Sequence, residues 1–383
     1  MKMPILHARR GLVRKPFTKP VKRQRGVAII SALLVVALSA IIVSGLLWRE
    51  QIQVRRIENQ RLLSQAQWIS RSALDWTRLI LRSEADTSPT VTYLGGVWGV
   101  PIAKTRLSDF LGQIGEVRAE QGASTYLSGS IEDAQAKFNL RNLVSTPTPG
   151  VLTIDVQEIA TFERLLTLLG LNGSLAKNVA LQIRAGLAQS ATRFQAQTPA
   201  SGVAATASGT IAALAAGGGG VSGGNFTDDP GLADGDSNTP VAPLQMITVD
   251  SLMDVPGFTA ESVEKLRPFV TVLPTTTSVN MNTASAEVIA ATVPGMSLGQ
   301  AQAFVARRET VFFHDTGDLQ LALQGAGVQT TDAIDPNQLD VTTRYFFIHG
   351  RVQHERAELD RTTLIYRDAT THTTRIVYIR DQP

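Results

Sequence analysis

The side chains of this chain best suited to proton transfer or metal ligation near neutral pH are His7, His314, His349, His354 and His372. They are scattered. None falls in H-E-x-x-H or a comparable ligand spacing, although His349 and His354 lie on or near adjacent expected strands and could meet in space. The chain has no Cys, which excludes a disulfide framework, thiolate zinc sites and a cysteine nucleophile together. It also lacks G-x-S-x-G, a Walker loop and a dinucleotide fingerprint, so catalysis has no foothold and the chain reads as a non-enzyme. Asp228, Asp229, Asp234 and Asp236 in "NFTDDPGLADGDSN" gather the oxygen ligands a hard cation prefers. Their spacing has no closing Glu of the EF-hand type, and an acidic loop of this kind is ordinarily solvated.

The elements that would carry these residues begin with charge. Residues 1–26 hold nine Lys or Arg and no acid, while the rest of the chain holds 27 basic against 33 acidic residues. The mildly acidic body gives no reason to expect nucleic acid. Residues 27–47, "VAIISALLVVALSAIIVSGLL", run twenty-one positions without a charge. As a helix they match a hydrocarbon core about 30 Å thick. The preceding positive charge puts the N-terminus on the cytoplasmic side and everything after Trp48 across the membrane. A secretory signal would be shorter and followed by a small-residue cleavage site. A plain anchor fits the length and charge but gives Gly26, in "RQRG", no role. Beyond the span, Leu62, Ala66, Ile69, Ala73, Trp76 and Ile80 recur at steps of four and three, and no Gly or Pro interrupts 46–82. The spacing predicts one helix from Val27 to about Arg82, a rod about 80 Å long.

A basic leader ending in Gly, a spanning helix and an amphipathic continuation resemble the type IV pilin and pseudopilin family. The resemblance implies that a prepilin peptidase cuts between Gly26 and Val27 and that the apolar helix stays on the mature protein. It further implies an assembly helix made of Ser31 and the stripe Leu62, Ala66, Ile69, Ala73, Trp76 and Ile80. The family usually has Glu as the fifth mature residue, and Ser31 stands there instead. A carboxylate in a lipid-facing helix needs a partner. A subunit lacking it suits the end of a stack, where no further subunit supplies one.

The body predicts α+β. "GGVWGV" has β character, and "TYLSGSIEDAQAKFNL" reads as a hairpin, Thr125 to Ile131 and Ala136 to Leu140, turning at "EDAQ". "RYFFIHGRVQHERAELDRTTLIYRDATTHTTRIVYIRD" predicts a three-stranded antiparallel meander punctuated at His349-Gly350 and Asp368-Ala369. Between them, Phe162, Leu165, Leu166 and Leu169 carry helical spacing with Gly170 as the stop, followed by a glycine-rich loop near 201–224. "DVPGFTAESVEKLRPFV" and "TVPGMSLGQAQAFVARR" form a weak repeat. Each predicts a helix, a Pro-Gly turn and a second helix capped by Thr259 or Ser297, with Val263 and Leu266 matching Ala301 and Phe304. The second copy resembles helix-hairpin-helix units of DNA-binding proteins. Those units commonly offer a Gly-x-Gly turn to a phosphate; here single glycines precede Phe258 and Met296, and Lys265, Arg267, Arg307 and Arg308 sit among Glu261, Glu264 and Glu309. A structural helical module is the favoured reading.

"DAQAKFNLRNL", "LMDVPGFTAESVEKLRPFVTVLP", "VNMNTASAEVIAATVPGMS" and "TTRYFFIHGRV" together resemble the protein K family of the general secretion pathway, the large minor pseudopilins of type II secretion systems. The resemblance implies a pilin-like fold with five segments. These are a basic leader at 1–26, a transmembrane helix at 27–47, an amphipathic helix and first β segments at 48–143, an inserted helical domain at 144–340 and a C-terminal β-meander at 341–383. It implies an inner-membrane protein with a periplasmic body that joins minor pseudopilins I and J, and H, at the tip of a pseudopilus built mainly of major pseudopilin G. The prepilin peptidase and inner-membrane lipid complete the implied partners. Family members can bind calcium in the inserted domain, and in this chain Asp228, Asp229, Asp234 and Asp236 are the residues available for it. The alternatives are a type IV minor pilin and a membrane-anchored DNA receptor.

Overall fold

The computed structural model describes residues 27–113, 122, 124–148, 151–197, 244–328 and 337–382. Residues 1–61 and 62–383 form two units, and helix α1, Val27–Thr87, begins in the first and continues into the second. An uninterrupted run of helix-compatible residues explains its 61-residue length. It ends about one turn later than the spacing predicts. Ser83 and Glu84 carbonyls accept the Thr87 hydroxyl, and Ser88 precedes Pro89, which disfavours further helix.

In the second unit α1 lies on a five-stranded antiparallel sheet, in spatial order β1 (Ile102–Arg106), β2 (Thr125–Asp133), β9 (Tyr345–His354), β10 (Ala357–Arg367) and β11 (Thr374–Gln382). The chain reaches it through a turn rather than a strand. "GGVWGV" folds as a 3-10 turn at Val97–Gly99, where a Cβ on Gly99 would stand 2.2 Å from the Leu94 carbonyl oxygen. That tight turn swings Trp98 inward against Phe346, ring centroids 5.6 Å apart. Then follow β1 (Ile102–Arg106), α2 (Leu107–Gln113) and β2 (Thr125–Asp133).

The expected hairpin at "EDAQ" does not form. The Asp133 carboxylate accepts the Gln135 N–H and caps a 3-10 turn, after which β3 (Phe138–Asn139) leaves the sheet. Phe138 stacks on Phe162 at 5.4 Å, so the second half of the alternating pattern serves a different core. The partners of β2 are β1 and β9.

The excursion continues with β4 (Val144–Thr148), β5 (Val151–Ile154), α3 (Val156–Leu168) and α4 (Leu175–Gln197). Asp155 caps α3 by accepting two N–H groups, and Gly170, at φ +71°, stops it as the sequence predicts. The glycine-rich loop near 201–224 and the four aspartates from Asp228 to Asp236 lie outside the described residues. The chain resumes with α5 (Ala260–Leu266), β6 (Val270–Thr271), β7 (Val279–Asn280), α6 (Ala286–Thr292), α7 (Leu298–Thr310), α8 (Thr316–Gly325) and β8 (Leu339–Asp340). Parallel pairs β3–β6 and β7–β8 tie these pieces together. One core centres on Phe162, Leu165, Leu252 and Leu266, and a second on Ile289, Val293, Ala301 and Phe304. The first Val-Pro-Gly copy differs from expectation in one respect: a 3-10 helix, Val249–Asp254, precedes its turn instead of an α-helix.

The chain closes with β9 (Tyr345–His354), β10 (Ala357–Arg367) and β11 (Thr374–Gln382), the predicted meander. His349-Gly350 is not a break. It sits inside β9, and the first turn comes at Glu355, which takes φ +51°. The second turn is at Asp368, whose carboxylate accepts the N–H groups of Thr370 and Thr371.

Candidate functional site

Three places in the chain could carry function: the faces of α1, the junction between the sheet and the excursion, and the Pro-Gly turns. Within 28–47 every residue of α1 is exposed, including Leu33 at 64%, Val36 at 65% and Ile41 at 69%. So large a run of bare aliphatic surface needs lipid or protein against it. Ser31 presents no carboxylate, and its hydroxyl donates to the Ala28 carbonyl at 3.0 Å. Val27 opens the helix, while Gly26 and His7 lie outside the described residues.

From Leu62 onward α1 has two faces. Leu62, Ala66, Leu74, Leu81 and Ala85 are buried, and Ile69, Ala73 and Ile80 pack beside them on the sheet. This corrects the expected assembly stripe. Ala66, Ile69, Ala73 and Ile80 meet the chain's own strands and Leu62 is buried, because a helix of this kind first covers the apolar side of its own sheet. Trp76, at the edge of the stripe, is 39% exposed and packs edge-on against Phe110 at 6.0 Å. The opposite face carries Trp68 at 67% and Leu79 at 59% exposure. Trp68, Ser72, Trp76 and Leu79 follow helical steps, so they form an outward stripe of which the expected spacing had singled out only Trp76. Its signal was available as two tryptophans eight residues apart in a polar setting.

The junction is built from "DAQAKFNLRN". The buried Asp133 carboxylate accepts from Asn280 Nδ2 at 2.8 Å, Thr283 Oγ1 at 2.6 Å and Thr343 Oγ1 at 2.6 Å. Burial pushes its pKa up, against those hydrogen bonds. Gln135 donates to the Ser278 carbonyl and accepts the Arg344 N–H. Asn139 and Asn142 each pair in both directions with backbone, Asn139 with Thr275 and Leu273, Asn142 with Thr277. The buried Arg367 donates to the Leu81 and Thr343 carbonyls and to Thr92 Oγ1, joining α1, the sheet and the excursion. Desolvation lowers its pKa. Sequence reasoning quoted this motif without seeing its use; four polar residues interleaved with buried apolar ones were the signal.

Nearby, burial opposes the charge of Glu132, but hydrogen bonds from His349 and Lys137 bring its pKa down to about 2. His354 meets Thr125 and Gln65 rather than His349, and His372 meets Asp86. His314 meets Asp318. Among the described residues no three His, Asp or Glu gather as a metal site.

At the Pro-Gly turns, Gly257 and Gly295 take φ +100° and +78°. The N–H groups a phosphate would use are already engaged. Thr259 and Ser262 exchange bonds in one capping box, and Ser297 and Gln300 do so in the other. Arg267 is held by Asp250 and Glu264, and Arg308 is buried on the Met281 carbonyl, its pKa lowered by desolvation to about 10. These turns fit a packing role.

Two family models match the chain, both described as type II secretion system protein K, at residues 136–275 and 279–342. A similar protein is type II secretion system protein K of Pseudomonas aeruginosa, 26% identical over 339 residues, which span 86% of this chain and 84% of that protein. The fold is similar to a chain in the crystal structure of the GspK–GspI–GspJ complex from the type 2 secretion system of enterotoxigenic Escherichia coli. The TM-score is 0.55 and the identity 17%, with 86% of this chain and 99% of that chain covered.

Proposed function

This chain belongs to the type II secretion system protein K family, and from that premise we propose that it is a tip subunit of the pseudopilus, held by α1 to minor pseudopilins I and J. The family is a structural component of a secretion system, and the apolar start of α1 is consistent with membrane anchoring. In this reading a prepilin peptidase cuts before Val27 on the cytoplasmic side and the body stands in the periplasm. The bare 28–47 segment leaves lipid for a bundle of partner helices, which small residues such as Ala32, Ala37, Ala40, Ser44 and Gly45 let approach closely. Ser31 brings no acid needing the N-terminus of a further subunit. The excursion adds a bulk that the end of a stack accommodates and its shaft does not. Minor pseudopilin H, major pseudopilin G below the tip, and calcium at Asp228, Asp229, Asp234 and Asp236 belong to the same proposal.

The observation that carries this reading is the division of labour along α1: one face is spent on the chain's own sheet while Trp68 and Leu79 remain open. A photo-crosslinking residue at position 68, in the full chain coexpressed with I and J, tests it. Adducts with I or J support the reading. Adducts only with further copies of this chain, or with the major subunit on both sides, contradict it.

A further inference from the structure

The packing of α1 on its sheet is interrupted. Ala66, Leu127 and Val352 close one side of the gap; Leu74, Trp98, Phe346 and Ile348 close the other. Between them lies a cavity of about 420 Å³. Trp76, Val97 and Val100 line it and are exposed, at 39%, 71% and 69%, and so mark its mouth.

The hollow is specified by small residues on both walls. Strand register sets Gly129 opposite Gly350, between the pairs Leu127–Val352 and Ile131–Ile348. The helix faces them with Ser70, Ala73 and Thr77. Gly129 is crowded, since a Cβ there would stand 2.7 Å from the His349 carbonyl oxygen. Gly350 is not: a Cβ there would meet no heavy atom within 4 Å. Protein interiors seldom leave voids larger than a water, and apolar cavities take up apolar matter rather than water. The volume lies in the range of small-molecule sites.

Polar groups break the apolar lining, among them Ser70 and Arg361 and the buried Trp98 Nε1, which has no hydrogen-bond partner. Ser70 is nine-tenths buried, and its hydroxyl makes no hydrogen bond to any described residue. Arg361, paired with Gly350 from the neighbouring strand β10, gives its Nε to Asp381 at 2.6 Å, while its Nη groups make no hydrogen bond among the described residues. We propose that this cavity binds a single-chain amphiphile with a carboxylate head, its chain lying over the Gly129–Gly350 pair and its carboxylate received by the Arg361 guanidinium. Arg361 has planar, paired donors that suit a carboxylate, and the chain replaces the side chains the two glycines lack.

The test uses the full chain in phosphatidylcholine nanodiscs and dodecanoate carrying a terminal diazirine, with labelled peptides mapped by mass spectrometry. Label is expected on peptides containing Trp76, Phe110 or Ile348, and excess plain dodecanoate should suppress it. Gly350→Leu fills the hollow and should reduce that label about tenfold while leaving label on 27–47 unchanged. Arg361→Gln should weaken labelling by the acid about tenfold and leave labelling by its methyl ester unaltered. Label confined to 27–47, equal label in a folded Gly350→Leu variant, or ester labelling as strong as acid labelling overturns the proposal. Should Gly350→Leu not fold, failure of plain dodecanoate to compete in the unsubstituted chain overturns it as well.

Discussion

Asp133 is the buried hub of the polar junction between the sheet and the excursion. Its carboxylate collects donors from Gln135 beside it, from Asn280 and Thr283 in one turn, and from Thr343, three separate parts of the chain. Asp133→Ala would leave those donors buried without an acceptor. The expected loss is about 3 kcal/mol or more, read by urea unfolding with tryptophan fluorescence. Glu132 behaves differently. Its folded pKa of about 2 lies below the unfolded value, so the stability it contributes is present above about pH 4.5 and is lost as pH falls toward 2. The side chain is 38% exposed, and solvent screening limits the effect to about 1–2 kcal/mol. Glu132→Gln should flatten that acid limb, which thermal melts between pH 5 and about 2 would record.

The long helix and the closing meander were legible because each obeys one period over many residues. The hairpin was not, since alternation alone cannot tell whether Phe138 returns to the sheet or leaves it to stack on Phe162. Nor could periodicity say which apolar stripe of α1 the chain would keep for itself. The structure assigns Ala66, fully buried, to the sheet and Trp68, 67% exposed, to the outside. Ala66→Arg should therefore unfold the sheet's helix, whereas Trp68→Arg should change stability by no more than about 0.5 kcal/mol and abolish copurification with I and J. The repeat offers a second comparison. Gly257 and Gly295 both have positive φ, but a Cβ on Gly257 would stand 2.5 Å from Leu175 Cδ2, and one on Gly295 would meet nothing within 4 Å. Gly295→Ala should destabilise by about 1–2 kcal/mol from backbone strain alone, and Gly257→Ala by more. The capped, well-packed second helix of each repeat was readable from Thr259 and Ser297; the 3-10 start of the first copy was not, because Val249–Asp254 carries no periodic signal of its own.

The sheet is assembled from residues far apart in sequence, with β2 from the first third of the chain joined to β9 near its end. The polar junction lets the excursion between them be large without loosening the sheet, since Asn139, Asn142, Gln135 and Asp133 hold its return path at 273–283 by side chain and backbone alike. The account stands on α1 being kept whole from Val27. Coexpression with a prepilin peptidase followed by N-terminal sequencing measures this directly. The account predicts a mature chain beginning at Val27 with 27–47 retained, and a chain beginning beyond Leu47 would contradict it.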